Sequence, residues 1–343
     1  MSTDTQAPAI AIEALTKNYG PVKAIDSISF TVNRGEVVGF LGPNGAGKST
    51  TMRILCGLTA ATSGIARVCG EAVASHPERI KRRIGYMPEN NPLPEDLRVD
   101  EYLRHRARLK EIPMRQRRKR VEEVMEVCQL NRTARRKVIG TLSKGYRQRV
   151  GIADAILAEP DLIIMDEPTI GLDPHQIITI RELIASLRGR MTVVISSHIL
   201  PEIELMCDRV IIINRGRVVA SGTSESLRHA FMPQISYRLE TNREAADLRV
   251  FLNQVDGELI LTESVPGHDT FWVHQIEHKE GREFGESLLR RLATEPDLRV
   301  RDFARCQPGL EQIFMAATKQ SWKETLPPFA FRHKENRTTD PAP

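Results

Sequence analysis

The sequence predicts an α/β fold, a layered domain with a helical insertion, followed by a small α+β domain. Strand-like and helix-like segments alternate from Ile10 to about Gly222. Between Pro88 and Gly140 the strand-like segments stop and the chain turns helical and charged. After Gly222 the segments follow the order βαββαβ of a ferredoxin-like split unit. A length of 343 residues accommodates two domains, each able to bury its own core. The expected divisions are a flexible start over 1–8, the α/β domain over 9–232 with its helical part over 88–140, an accessory domain over 233–320 and a disordered tail over 321–343.

Along the chain, Glu36 to Leu41 reads as a buried strand and Ser49 to Leu58 as a helix. Between them, Gly42-Pro43-Asn44-Gly45-Ala46-Gly47-Lys48-Ser49 fills every fixed position of the P-loop pattern, with Thr50 following. Successive backbone N–H groups at such a strand-to-helix turn cradle an anion, and the helix dipole adds to the attraction. Lys48 is then placed to reach the β- and γ-phosphates of a nucleoside triphosphate, and the Ser49 hydroxyl to sit on Mg²⁺.

In the helical insertion, Val121, Val124, Met125 and Cys128 recur at helical spacing and belong to the core. Arg104 to Lys137 holds thirteen Lys or Arg against four Glu, a surface suited to anionic headgroups, nucleic acid or acidic loops, or simply to solvent. Ser143 is a natural N-cap for the helix after it, and its hydroxyl with the following amides forms a second anion site. Gly145 there lets backbone approach a phosphate.

Leu162 to Glu167 is an apolar run ending in two carboxylates, delivered to the edge of a parallel sheet. Beside a P-loop, Asp166 suits Mg²⁺ and Glu167 suits polarising the attacking water, although two carboxylates also simply end strands. Asp173 before Pro174 reads equally as a helix cap and as a coupling residue. Ile180, Leu183, Ile184 and Leu187 form another core stripe. His198, after the strand Thr192 to Ile195, reads as a core histidine or as a phosphate contact.

In the second domain, strands are expected at Ile235–Leu239, Glu258–Val265, Phe271–Ile276 and Leu298–Ala304, with helices at Arg243–Val255 and Phe284–Leu292. A last apolar helix is expected at Leu310–Ala317. No apolar run approaches a spanning helix, and Met1 to Pro8 lacks a signal-peptide core. The five cysteines are scattered and never at metal-ligand spacing, as expected of reduced thiols.

Leu142-Ser143-Lys144-Gly145-Tyr146-Arg147-Gln148-Arg149, lying between the P-loop and the paired acids, resembles the signature segment of ABC-type ATPases. The resemblance runs from Ile10 to about Gly222. It implies a P-loop NTPase of the ABC ATPase type, with ATP and Mg²⁺ as cofactors. Tyr19 resembles the aromatic that stacks on adenine, and Glu89 stands where the family has the glutamine of its Q-loop. Gly171-Leu172-Asp173 resembles the D-loop, and His198 the switch histidine. Carried onto this chain, the resemblance implies catalytic Lys48, Glu167 and His198, a metal held by Ser49, Glu89 and Asp166, and a nucleotide bound by Tyr19, Glu89 and the loop from Gly42 to Thr50.

The same resemblance implies a second copy as partner. Each copy's Ser143, Lys144, Gly145 and Tyr146 would close head to tail over ATP held by the other, with Asp173 in the D-loop between them. Lys144 and Tyr146 replace the family's commonest glycine and glutamine, and Glu89 brings a charge where the amide donors would be. The Ser-Lys-Gly form and the Pro-Glu pair at Pro88-Glu89 resemble the exporter branch. That implies the motor subunit of an exporter, cytoplasmic and peripheral on the inner face of the membrane, working with integral membrane permease subunits. Other readings are an importer ATPase with a C-terminal sensor and a soluble ATPase acting on ribosomes or DNA. Nucleic acid is not expected as a partner, since there is one cassette and no heptad-repeat arm.

Overall fold

The computed structural model describes residues 7–130, 134–232, 234–306 and 308–325. One compact unit is Glu225–Ala316, and the other holds the chain up to Ser224 and from Ala317.

The first unit opens with β1 (Ile10–Tyr19), β2 (Val22–Val32) and β3 (Val37–Leu41), followed by α1 (Lys48–Leu55), β4 (Ser63–Val68), β5 (Glu71–Ala72), α2 (Pro77–Arg83) and β6 (Ile84–Met87). The helical stretch contains α3 (Val99–Leu109), α4 (Met114–Val127), a single 3-10 turn at Ile139–Thr141 and α5 (Lys144–Ile156). Then come β7 (Leu162–Asp166), α6 (Pro174–Leu187), β8 (Thr192–Ser197), α7 (Leu200–Met206), β9 (Arg209–Asn214) and β10 (Arg217–Gly222).

These strands make two sheets. The six-stranded one has the order β10-β9-β3-β8-β7-β6, parallel except where β10 pairs antiparallel with β9. Every residue of β3, β7 and β8 is buried, which is why they read as unbroken apolar runs without alternation. The register places Leu41 beside Ser197 and Asp166 beside Ser196. The loops that follow β3, β7 and β8 therefore all leave from one edge of the sheet.

The second sheet, β2-β1-β4-β5, is antiparallel and does not follow from the alternation of segments. Register shifts within the β1–β2 pair break the period-two pattern that would announce it. One core joins the two sheets, with Ile10, Leu15, Ile28, Phe40, Met52, Leu55, Ile164 and Ile211 among its members.

The helical stretch packs through Leu103 and Ala107 of α3 and Val121, Val124 and Met125 of α4. Asp154 on α5 holds it together electrostatically, accepting Arg106 Nε at 2.9 Å with Lys110 Nζ at 3.7 Å. Burial pushes Lys110 below the usual lysine range, and Asp154 opposes that shift.

The second unit begins in α8 (Ser224–Phe231) and continues through β11 (Ser236–Thr241), α9 (Ala245–Val255), β12 (Leu259–Pro266), β13 (Trp272–His278), α10 (Gly285–Thr294) and β14 (Val300–Cys306). Its sheet has the order β12-β13-β11-β14 and is antiparallel throughout. Leu239 and Ile276 of the sheet share a buried cluster with Leu248, Phe251 and Leu252 of α9 and Leu288 and Leu292 of α10. Gly285 opens α10 where a Cβ would collide with the Tyr237 ring, which itself stacks on Phe303 at 4.9 Å.

The last helix, α11 (Leu310–Thr325), runs past the expected end at Ala317, so residues 321–325 are helical and not tail. The expected flexible residues 1–6 and tail residues 326–343 lie outside the described residues. Among the described residues no helix is long and apolar enough to cross a membrane.

Candidate active site

The loop after β3 takes its shape from three glycines. A Cβ on Gly42 would strike the carbonyl of Ile213, and one on Gly47, at φ +106°, would come 2.6 Å from the Ala24 carbonyl. Gly45 also lies in the left-handed region, at φ +77°. The loop delivers Lys48 as the first residue of α1, and no side chain caps that helix's N-terminus, so its first N–H groups are free for an anion. Lys48 is 7% exposed, and its Nζ donates to the Gly42 carbonyl at 2.7 Å and the Pro43 carbonyl at 3.4 Å. The ammonium is thus held inside the turn before any phosphate arrives. Thr51 Oγ1 donates to the Gly47 carbonyl at 2.9 Å and ties the helix start to the loop.

The carboxylates come from β7. Asp166 is 4% exposed and accepts a hydrogen bond from Ser196 Oγ across the strand pair. Glu167 is also buried, at φ +50°, a strained conformation for a residue with a side chain. Its backbone N–H donates to Ser196 Oγ and to the Ser196 carbonyl, both at 3.1 Å, which fixes the turn. His198, just past β8, brings Nδ1 to 2.8 Å from Glu167 Oε2. Burial pushes the Glu167 carboxyl above the usual carboxylate range, while His198 and then Lys48 pull it back.

A cavity of about 490 Å³ joins these parts, lined by Tyr19, residues 44–50, Glu89, Asp166, Glu167 and His198, with Ala24 and Ile170. Gly42 and Pro43 stand behind it and supply the carbonyls that hold Lys48. The side-chain oxygens that fit Mg²⁺ in kind, from Ser49, Glu89 and Asp166, belong to residues of this one wall. Among the described residues no three His, Cys, Asp or Glu could hold a metal by themselves, so phosphate and water would supply the ion's remaining ligands. The arrangement can grip a triphosphate at one end and take a proton from water at the other.

Ser143, Lys144, Gly145, Tyr146 and Asp173 do not line this cavity. Ser143 precedes α5 with an extended backbone, and its hydroxyl makes no cap hydrogen bond. Gly145 has a nearer reason for lacking a side chain than a phosphate, because a Cβ there would run into Gln176 of α6. Lys144 lies over the D-loop, where a Cβ on Gly171, itself at φ +67°, would meet its Nζ at 2.5 Å. The Tyr146 ring packs against Arg149, whose guanidinium lies 4.1 Å from the ring centroid. Asp173 does cap α6, accepting from the Gln176 N–H at 3.0 Å.

Sequence reasoning passed over Ala24, Ile170 and the part played by Ser196. A serine ending a buried apolar strand beside the acid-bearing strand was the signal for Ser196. Nothing in the sequence marks Ala24 or Ile170.

Comparison with known proteins bears on the family and the fold. The family described as ABC transporter matches residues 25–170. The chain is 38% identical over 221 residues to the Nod factor export ATP-binding protein I of Ralstonia nicotianae, covering 64% of this chain and 68% of that protein. It is 33% identical over 312 residues to the daunorubicin/doxorubicin resistance ATP-binding protein of Streptomyces peucetius, covering 90% and 92%. Among solved structures, the ATP-binding subunit of an ABC transporter superposes with a TM-score of 0.59 at 33% identity, over 65% of this chain and 93% of that one. A dimeric ATP-binding cassette in a post-hydrolysis state with ADP and Pi gives 0.57 at 26%, over 62% and 98%.

Proposed function

The chain belongs to the family of ABC transporter ATP-binding proteins, and on that premise we propose that it is the ATP-hydrolysing motor subunit of a membrane exporter. It is an ATPase, and its cofactors are ATP and Mg²⁺. Proteins of this family dimerise and work with transmembrane subunits. In this chain's case the permease is a separate protein and the site of action is the inner face of the membrane.

The observation that carries the reading is the contact between His198 Nδ1 and Glu167 Oε2, 2.8 Å apart in the cavity that Lys48 also lines. Lys48 binds the β- and γ-phosphates, exchanging its two carbonyl partners for phosphate oxygens. Backbone N–H groups of the loop hold the remaining phosphate charge. Ser49, Asp166 and Glu89 hold magnesium, which when bound neutralises charge on the transferring phosphoryl group. Ser196 fixes the orientation of Asp166 by donating to its Oδ1. Glu167 accepts the proton of the attacking water, and His198 orients the carboxylate through Nδ1. Tyr19 supports the adenine. Ser143, Lys144, Gly145 and Tyr146 act across the dimer on the partner's ATP, since they lie outside their own chain's cavity.

Export is favoured over import because relatives named for Nod factor export and for drug resistance match the chain well. The reading is tested by expressing Glu167→Gln in the native cell, extracting membranes gently with MgATP and identifying what co-purifies. A multi-span membrane protein in stoichiometric amount is expected. Ribosomal proteins or nucleic acid from the soluble fraction would displace the exporter reading.

A further inference from the structure

We propose that the turn joining α3 to α4, with the first turns of α4, is a docking surface for an anionic lipid bilayer, reached by this chain directly. The inference rests on the reading of the protein as a membrane-bound motor subunit, but it needs no permease to act.

The basic residues of this region divide into two sets. Arg106 and Lys110 turn onto Asp154, Arg120 onto Glu123 and Glu159, and Arg135 onto Glu122 and Asp100. These hold the helices together. Arg108, Arg115 and Arg118 are exposed and have no ion-pair partner within 4.0 Å among the described residues. Lys119 is 80% exposed and reaches Glu123 only at 3.7 Å. Arg115, Arg118 and Lys119 stand three and four residues apart and so share one face of α4.

Two large apolar side chains stand out at the same turn. Leu109 is 59% exposed and Met114 is 82% exposed. Helix stability does not account for this set. Cations near a helix N-terminus oppose the macrodipole, and the first turn of α4 contains no acidic residue to offset them. An exposed leucine and methionine gain nothing from water. A surface that is anionic outside and apolar a few ångströms deeper satisfies both halves, with guanidinium groups on headgroup phosphates and Leu109 and Met114 at the acyl boundary. Single-stranded nucleic acid fits less well, because its bases call for aromatic platforms, and Tyr102, the aromatic of α3, is buried; a duplex would leave Leu109 and Met114 facing water.

The test is flotation of the purified full chain with vesicles of phosphatidylglycerol in phosphatidylcholine, against phosphatidylcholine alone. Binding to the anionic vesicles only is expected, weakening as salt rises. Removing three surface cations in the variant Arg115→Gln/Arg118→Gln/Lys119→Gln should lower the partition coefficient on the order of a hundredfold. Met114→Asp should remove the part of binding that survives high salt. None of these positions lines the nucleotide cavity, so unchanged ATP affinity certifies that the variants are folded. Equal binding to neutral vesicles, wild-type partitioning by the triple variant, or preference for a single-stranded RNA oligonucleotide would each overturn the proposal. Such a failure leaves co-purification with a membrane protein untouched, so the two readings fall separately.

Discussion

At the scale of single residues, Glu167 combines backbone strain, burial and a carboxylate hydrogen-bonded to His198, and its charge state is the quantity to measure. Burial raises its pKa above the ordinary 4.5, so the folded chain holds this proton to higher pH than the unfolded chain does. Between those two values the native state binds more protons, and stability falls as pH rises through the folded pKa. Glu167→Gln cannot ionise. Thermal unfolding at about pH 5 and about pH 8 should therefore show the melting temperature of Glu167→Gln gaining on the wild type as pH rises. A difference independent of pH would mean that Glu167 titrates as an ordinary carboxylate. The residue types of this site were legible because P-loop glycines, the lysine and paired acids have few other uses in that order. The left-handed turn at Glu167 was not legible, since it follows from Ser196 on the neighbouring strand holding the Glu167 N–H.

At the scale of elements, the beginning of α6 separates a structural role from a functional one. Asp173 caps the helix through the Gln176 N–H, so Asp173→Ala should cost about 1 kcal/mol of stability, read from chemical unfolding. Asp173→Asn keeps an acceptor and should be near wild type in stability. If Asp173 also couples the two sites of a dimer, ATP turnover in Asp173→Asn will fall while stability holds; wild-type turnover would leave it a cap alone. The core helices were readable from their apolar spacing, and the buried residues of α4 and α6 follow it. The antiparallel sheet was hidden because register shifts in β1 and β2 blur the alternation. The length of α11 was hidden because its apolar pattern fades after Ala317 while the backbone continues as helix.

At the scale of the whole molecule, one chain holds a nucleotide cavity, and its signature segment lies outside that cavity. A head-to-tail dimer has a direct consequence. Lys48→Ala inactivates a chain's own cavity, whereas Ser143→Arg inactivates what that chain offers its partner. Neither variant alone should hydrolyse ATP, but a mixed pair retains one intact composite site and should recover turnover, measured as phosphate release. No recovery would place the signature on its own chain's nucleotide. By itself the sequence determined the chemistry: a triphosphate cradle, a lysine, two carboxylates and a histidine, because each of these local patterns imposes its own turn, strand end or charge. The tertiary structure decided how they meet. Only parallel pairing of β3, β7 and β8 brings residues as far apart as Lys48, Asp166 and His198 to one edge, and only close packing of Gly145 and Gly171 against Gln176 and Lys144 sets the signature on the D-loop. Contacts between residues distant in sequence depend on how strands order and helices pack, and no local pattern encodes that.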